Sequence, residues 1–196
     1  MGELKYTGER YMPLIVKAGH PGIAFHNERY ELAAMFCRDK TVLEIGCGAG
    51  YGTAILARKA LLVDAFDYCP EAIEYCQENY PAEKIRFHVG DIHSYEVGYR
   101  RYDVVVSMET LEHIPNGEPM MQLIKDALRP SGVAIISTPS PASFGGGFDI
   151  CMYTLESLRE LLGKYFEDYV VMKHNPGIFS FNFKDVHTFM AVMWNG

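Results

Sequence analysis

Short apolar runs, separated by segments of helical period, recur along most of the chain. Val42, Leu43 and Ile45 form the first. Leu61 to Phe66, Ile85 to Val89, Val104 to Ser107, Val133 to Ser137, Phe166 to Met172 and Val186 to Trp194 follow as further predicted strands. Between them, Thr53 to Lys59, Glu71 to Asn79 and Gln122 to Leu128 read as helices, and Thr154 caps another that runs to about Gly163. Val104 to Ser107 is almost wholly β-branched, as suits a strand covered on both faces. Strands alternating with helices predict an α/β sheet. Ahead of them, Met1 to Gly22 is punctuated by glycine and proline and reads as an irregular arm. Ile23 to Arg38 reads as a helix with Leu32, Met35 and Phe36 on one face. His26, Arg29 and Tyr30 share another face, either as part of a solvated cap helix or closing over a ligand.

The first strand breaks into Gly46, Gly48, Gly50 and Gly52 before its helix. Strand, glycine turn and helix make the first unit of a doubly wound sheet, whose ligands sit beyond the carboxyl ends of the strands. The dinucleotide fingerprint needs its third glycine where Tyr51 stands. Glu44, two residues before Gly46, would also repel a pyrophosphate held at the helix start. A positively charged cofactor without phosphate suits this turn better, and S-adenosylmethionine has a sulfonium and an ammonium group.

Further polar groups fall at strand ends. Asp67 stands 21 positions after Gly46, where it can accept from two ribose hydroxyls or act as the helix N-cap before Pro70, two compatible roles. Asp91, in the turn Gly90 to Ile92, is either a plain turn aspartate or an acceptor for an adenine amino group, with Ile92 packed on the ring. Met108 ends the fourth strand. Glu109, Glu112 and His113 follow at i, i+3 and i+4, so a helical turn would point all three the same way. Thr138 to Asp149, with glycines at 145 to 147, reads as a mobile lid. Phe179, Phe181 and Phe183 alternate as either a strand face against core or a stacking wall.

At 196 residues, with 48% hydrophobic and 22% charged residues, the chain is expected to be one globular domain: an arm and cap helix over residues 1–38 and a core over 39–196. A net charge of −7 argues against general binding to nucleic acid or anionic membranes, while leaving a small basic patch open. Five cysteines without a C-x-x-C pair suggest reduced thiols in a cytoplasmic protein, not a zinc knuckle or disulfide framework. No apolar run approaches the roughly 20 residues that span a bilayer, and no signal-peptide core is present.

The blocks V-L-E-I-G-C-G-A-G at Val42 to Gly50, Asp67, G-D-I at Gly90 to Ile92, Y-D-V-V-V-S-M-E-T-L-E-H-I at Tyr102 to Ile114 and L-R-P-S-G-V-A-I-I-S-T-P at Leu128 to Pro139 follow in order. Together they resemble class I S-adenosylmethionine-dependent methyltransferases. The resemblance implies a Rossmann-like α/β fold with a doubly wound, mostly parallel sheet of seven strands, the last antiparallel, and helices on both faces. It implies that S-adenosylmethionine, leaving as S-adenosylhomocysteine, is held by Glu44, Gly46, Cys47, Gly48, Gly50, Asp67, Tyr68, Asp91, Ile92 and Met108.

His26 and His113 are candidate general bases, with Glu109 in the same pocket. The E-x-x-E-H set is similar to one with which some O-methyltransferases hold a divalent metal, which here would use Glu109, Glu112, His113 and Asp149. T-G-E-R-Y-x-P at Thr7 to Pro13 and H-x-x-R-Y at His26 to Tyr30 look like those of bacterial methyltransferases of sugar and glycan assembly. A small-molecule or glycan acceptor is therefore expected, methylated on O or N, with either a monomer or a homodimer open. The alternatives are an NAD(P)-binding oxidoreductase and a non-catalytic module that binds S-adenosylmethionine.

Overall fold

The computed structural model describes Met12, residues 21–143 and residues 147–196. The Thr7 to Pro13 motif, apart from Met12, lies outside the described residues, as do Gly145 and Gly146 of the expected lid.

Helix α1 spans Pro21–Ala34. The core then runs β1 (Thr41–Ile45), α2 (Tyr51–Ala57), β2 (Leu62–Asp67), α3 (Pro70–Asn79), β3 (Ile85–Val89), β4 (Tyr102–Met108), α4 (Glu118–Ala127), β5 (Leu128–Pro139), α5 (Leu155–Gly163), β6 (Asp168–Asn175), β7 (Ile178–Ser180) and β8 (Thr188–Trp194). The strands form one sheet in the order β3-β2-β1-β4-β5-β8-β6-β7. Pairings from β3 to β5 are parallel, whereas β8 runs antiparallel to both β5 and β6.

The doubly wound arrangement and the antiparallel last strand agree with expectation, but among the described residues the sheet has eight strands, not seven. The additional strand is β7, which turns back on β6 through Gly177 at φ 74° and pairs over only three residues. A run that short has no readable period.

Side-chain alternation sends each central strand into two cores. Leu43, Ile45 and Val105 face α4 and α5, whereas Val42, Val104 and Val106 face α1, α2 and α3. With both faces covered, β4 can be apolar throughout, and five of its seven residues are consecutively buried. The polarity of β1 obeys the same alternation. Glu44 falls on the side of Val42, under α1 and α2.

Strand order reverses between β1 and β4, so their carboxyl ends diverge into a crevice, the topological switch point where ligands of such sheets bind.

Candidate active site

A cavity of about 420 Å³ opens at this switch point. The glycine turn supplies Gly46, Cys47 and Gly48. The ends of β2 and β3 supply Asp67, Tyr68, Asp91 and Ile92. The end of β4 and its following turn supply Met108, Glu109 and His113, and α1 adds His26, Arg29 and Tyr30. Gly46 has φ 70°, and a Cβ there would come within 2.5 Å of the Thr110 Oγ1, so glycine is required where β1 must turn beside β4.

Asp67 is 6% exposed, and its two carboxylate oxygens accept from the backbone N–H groups of Gly48, at 2.9 Å, and Cys69, at 3.0 Å. The carboxylate thus ties the glycine turn to the start of α3. Asp91 is exposed and accepts from the His93 backbone N–H at 2.8 Å, which fixes it at the rim.

Two of the ten expected cofactor residues do not line the cavity. Gly50 lies at the N-terminus of α2, behind the turn. Glu44 is fully buried; it accepts from the Thr53 hydroxyl at 2.5 Å and from the Tyr30 hydroxyl. Burial pushes its carboxyl up to about 7, even though both hydrogen bonds favour the ionised form. The charge read from the sequence as facing the cofactor is a strut between α1, β1 and α2. Its second oxygen has no hydrogen-bond partner among the described residues.

The expected bases differ in environment. His26 Nδ1 lies 2.7 Å from an Arg29 guanidinium nitrogen, which can only donate, so Nδ1 accepts and the neutral ring carries its proton on Nε2. Burial first, then the charges of Arg29 and His174, lower its pKa to about 3. Such an imidazole is a poor proton acceptor near neutrality. His113 has the opposite arrangement. Its Nδ1 is 3.1 Å from the Phe148 carbonyl and 3.8 Å from an Asp149 carboxylate oxygen. The carbonyl can only accept, so Nδ1 carries the proton and Nε2 keeps its lone pair.

Glu109, Glu112 and His113 do not point the same way. Glu109 stands at the end of β4 with φ 51°, ahead of the 3-10 turn Leu111–His113. Its carboxylate accepts from the Ser137 hydroxyl at 2.7 Å and lies 3.9 Å from Arg29. Glu112 turns inward, is 2% exposed and accepts from the Thr138 hydroxyl at 3.1 Å. Burial, with Glu109 and Asp149 nearby, pushes its carboxyl well above the usual range.

Glu112, His113 and Asp149 do offer donor atoms within 4.8 Å of one another. His113 Nε2 lies 4.0 Å from Glu112 and Nδ1 3.8 Å from Asp149. A metal ion needs both carboxylates and one nitrogen lone pair to converge on a single point. With Nδ1 committed to a carbonyl, an ion here would have to use His113 Nε2 with Glu112 and Asp149, while Glu109 is engaged by Ser137 and Arg29.

Arg29 and Tyr30 were legible as part of the α1 face but not as site residues. Arg29 is 1% exposed yet borders the cavity; it donates to the Thr188 hydroxyl at 3.4 Å, and its Nε has no partner among the described residues. The ring of Phe25 lies 4.7 Å below the guanidinium. The Tyr30 ring packs so closely on α2 that a Cβ on Gly52 would overlap it. The spacing of Tyr30 from Gly52 in sequence carries no signal of that contact. None of Phe179, Phe181 and Phe183 lines the cavity. Phe179 instead stacks on His174 at 4.4 Å, and His174 donates to Glu28 of α1 at 2.8 Å, docking the helix on the β6–β7 hairpin.

A switch-point cavity floored by a glycine turn, with a carboxylate at the end of β2, defines a Rossmann-like cofactor-binding domain. Residues 37–177 match the family model described as a methyltransferase domain, and the chain belongs to that family. A probable S-adenosylmethionine-dependent methyltransferase of Mycolicibacterium smegmatis is 29% identical over 185 residues, covering 89% of this chain and 71% of the relative. One of Mycobacterium tuberculosis is 30% identical over 146 residues, covering 74% and 52%. A ubiquinone biosynthesis O-methyltransferase of Coxiella burnetii is 27% identical over 142 residues, covering 70% and 58%. The chain thus spans little more than half the length of the latter two.

Among solved structures, an S-adenosylmethionine-dependent methyltransferase from Mesorhizobium loti superposes with a TM-score of 0.73 at 11% identity, covering 89% of this chain and all of that one. A TehB-like methyltransferase from Corynebacterium glutamicum gives 0.64 at 21%, covering 86% and 87%. These two likenesses establish the fold. The family implies S-adenosylmethionine as cofactor and displaces the NAD(P) oxidoreductase alternative. No helix among the described residues is long and apolar enough to cross a membrane.

Proposed function

We propose that this methyltransferase domain moves the methyl group of S-adenosylmethionine to an oxygen or nitrogen of a small or medium polar acceptor, with His113 as general base. The observation that carries this reading is the Nδ1 contact of His113 with the Phe148 carbonyl at 3.1 Å, which leaves Nε2 as the basic nitrogen.

S-adenosylmethionine supplies a methyl carbon on a sulfonium that is already a good leaving group. The chain's own residues then have three tasks. The first is to place the cofactor: of the residues that line the cavity, Asp67 would accept from its ribose, Asp91 would accept from its adenine amino group, and Ile92 and Met108 would pack against it. Arg29, whose guanidinium borders the cavity, would complement its carboxylate by charge. The second is alignment of the acceptor under the α1 wall, a contribution worth about 7 to 11 kcal/mol in well-oriented systems. The third is removal of the acceptor's proton by His113 Nε2, with the Phe148 carbonyl and Asp149 steadying the resulting imidazolium through Nδ1–H.

His26, with its Nδ1 engaged and its pKa about 3, serves as a hydrogen-bonding wall residue. No step is routed through a metal. The name of the Coxiella burnetii relative favours oxygen as the methylated atom. A sugar or glycan acceptor remains the proposal that the His26 to Tyr30 set supports. The test is time-dependent formation of S-adenosylhomocysteine across a panel of polyol, phenol and amine acceptors. Turnover that is lost in His113→Ala, with S-adenosylhomocysteine binding retained, supports the reading. Binding without turnover on any acceptor would instead favour a non-catalytic module.

A further inference from the structure

Residues 148 to 153, between β5 and α5, alternate strictly. Asp149, Cys151 and Tyr153 turn inward: Asp149 beside His113, Cys151 against the core under α4 and α5, and Tyr153 into that core at 6% exposure. Phe148, Ile150 and Met152 turn outward and are 48%, 59% and 50% exposed. A segment of period two normally places polar groups on its solvent face. Here the outer row is wholly apolar and carries no charge.

The row is also held in place. The backbone N–H groups of Ile150 and Cys151 both donate to the Glu112 carbonyl, at 3.0 and 2.9 Å. Exposed apolar groups held in a contiguous row mark a binding surface more often than a solvated one. Its place in the molecule indicates the occupant. Phe148 belongs both to this row and to the lining of the cavity, so the strip continues the cavity wall outward from His113.

We propose that the acceptor is an amphiphile: its nucleophilic head lies at His113, and an apolar tail leaves the cavity along Phe148, Ile150 and Met152. This rests on the reading of the cavity as a methyl-transfer site and narrows it from any polar acceptor to one bearing an alkyl, prenyl or aryl extension. The geometry adds a second consequence. The Phe148 carbonyl that fixes His113 is part of the strip, so a tail docked there steadies the segment that orients the base. A tailed acceptor therefore raises kcat as well as lowering KM.

The test uses the whole protein saturated with S-adenosylhomocysteine and two matched probe pairs: octyl and methyl β-D-glucopyranoside, and 4-octylcatechol and catechol, all below micellar concentration. Calorimetry is expected to show each octyl compound binding at least about tenfold tighter than its short partner. Tenfold is roughly 1.4 kcal/mol, less than the burial of two methylene groups provides. The gain should fall below about twofold in Ile150→Ser combined with Met152→Ser, and in Ile150→Lys alone. Both positions are half exposed, so these variants keep the core intact.

An octyl gain that is absent, or that persists in both variants, overturns the proposal. So does binding to phosphatidylcholine vesicles without any gain for the monomeric probes, which would assign the strip to a bilayer. A tail gain without methyl transfer from S-adenosylmethionine to any hydroxyl would instead refute the catalytic reading alone, so the two failures are distinguishable.

Discussion

Replacing Glu44 with glutamine separates a buried strut from a charge that faces the cofactor. In the folded protein the carboxyl of Glu44 is raised from 4.5 to about 7, chiefly because the group is fully buried, with Asp67 adding a small push in the same direction. The folded state therefore binds the proton more tightly than the unfolded chain does, and stability falls as pH rises from about 4.5 to about 7. At roughly 1.4 kcal/mol per unit, that rise amounts to about 3 kcal/mol lost between pH 4.5 and pH 8. Glutamine keeps an acceptor for Thr53 and Tyr30 but carries no proton to lose. Urea unfolding of wild type and Glu44→Gln at pH 5 and pH 8 measures the difference. Relative to wild type, the variant should gain roughly 2 to 3 kcal/mol over that interval. A pH-independent difference between the two would refute the buried-strut account and return Glu44 to the cofactor's electrostatics.

Asp67→Ala should weaken S-adenosylhomocysteine binding at least about tenfold, through lost ribose hydrogen bonds and a loosened Gly48 turn; calorimetry reads it directly. Gly52→Ala drives a methyl group into the Tyr30 ring and should cost about 1 to 3 kcal/mol in urea unfolding, with cofactor affinity falling in parallel because Tyr30 also walls the cavity. The acid limb of the pH dependence of kcat/KM should survive in His26→Asn, since a ring with a pKa about 3 is already neutral across the assay range. Loss of that limb would make His26 the base. Turnover should be unchanged by EDTA and by added Mg2+, whereas restoration by metal after chelation would show that Glu112, His113 and Asp149 rearrange around an ion.

Much of the architecture was legible because buried parallel strands announce themselves. The core of β4 stands where its apolar run places it, and the edge strand Ile85–Val89, which has no fully buried residue, also falls where expected. Boundaries moved where local signals conflicted with pairing. Pro119 masked the first turn of α4, where proline is tolerated. The fifth strand was expected over Val133 to Ser137, yet β5 begins at Leu128, where Leu128 pairs with Tyr102 and the Asn195 amide donates to the carbonyls of Leu128 and Arg129.

At the site, strand-end residues such as Asp67 and Met108 were readable because the period of a strand determines which side chain reaches the crevice. Glu44 was misdirected, although the same alternation that sends Leu43 to one core sends Glu44 toward the other. The tautomers of His26 and His113 depend on Arg29 and on the Phe148 carbonyl. The second of these contacts crosses 35 positions and leaves no trace in the sequence.

A crystal structure with S-adenosylhomocysteine bound tests the account most directly. It should show the ribose hydroxyls on Asp67, the adenine between Ile92 and the Asp91 rim, and the sulfur facing a space bounded by His113 Nε2, within one acceptor atom's reach of about 3 to 3.5 Å on each side. Cofactor bound outside the switch point, or sulfur turned away from His113 toward the adenine rim, would contradict it.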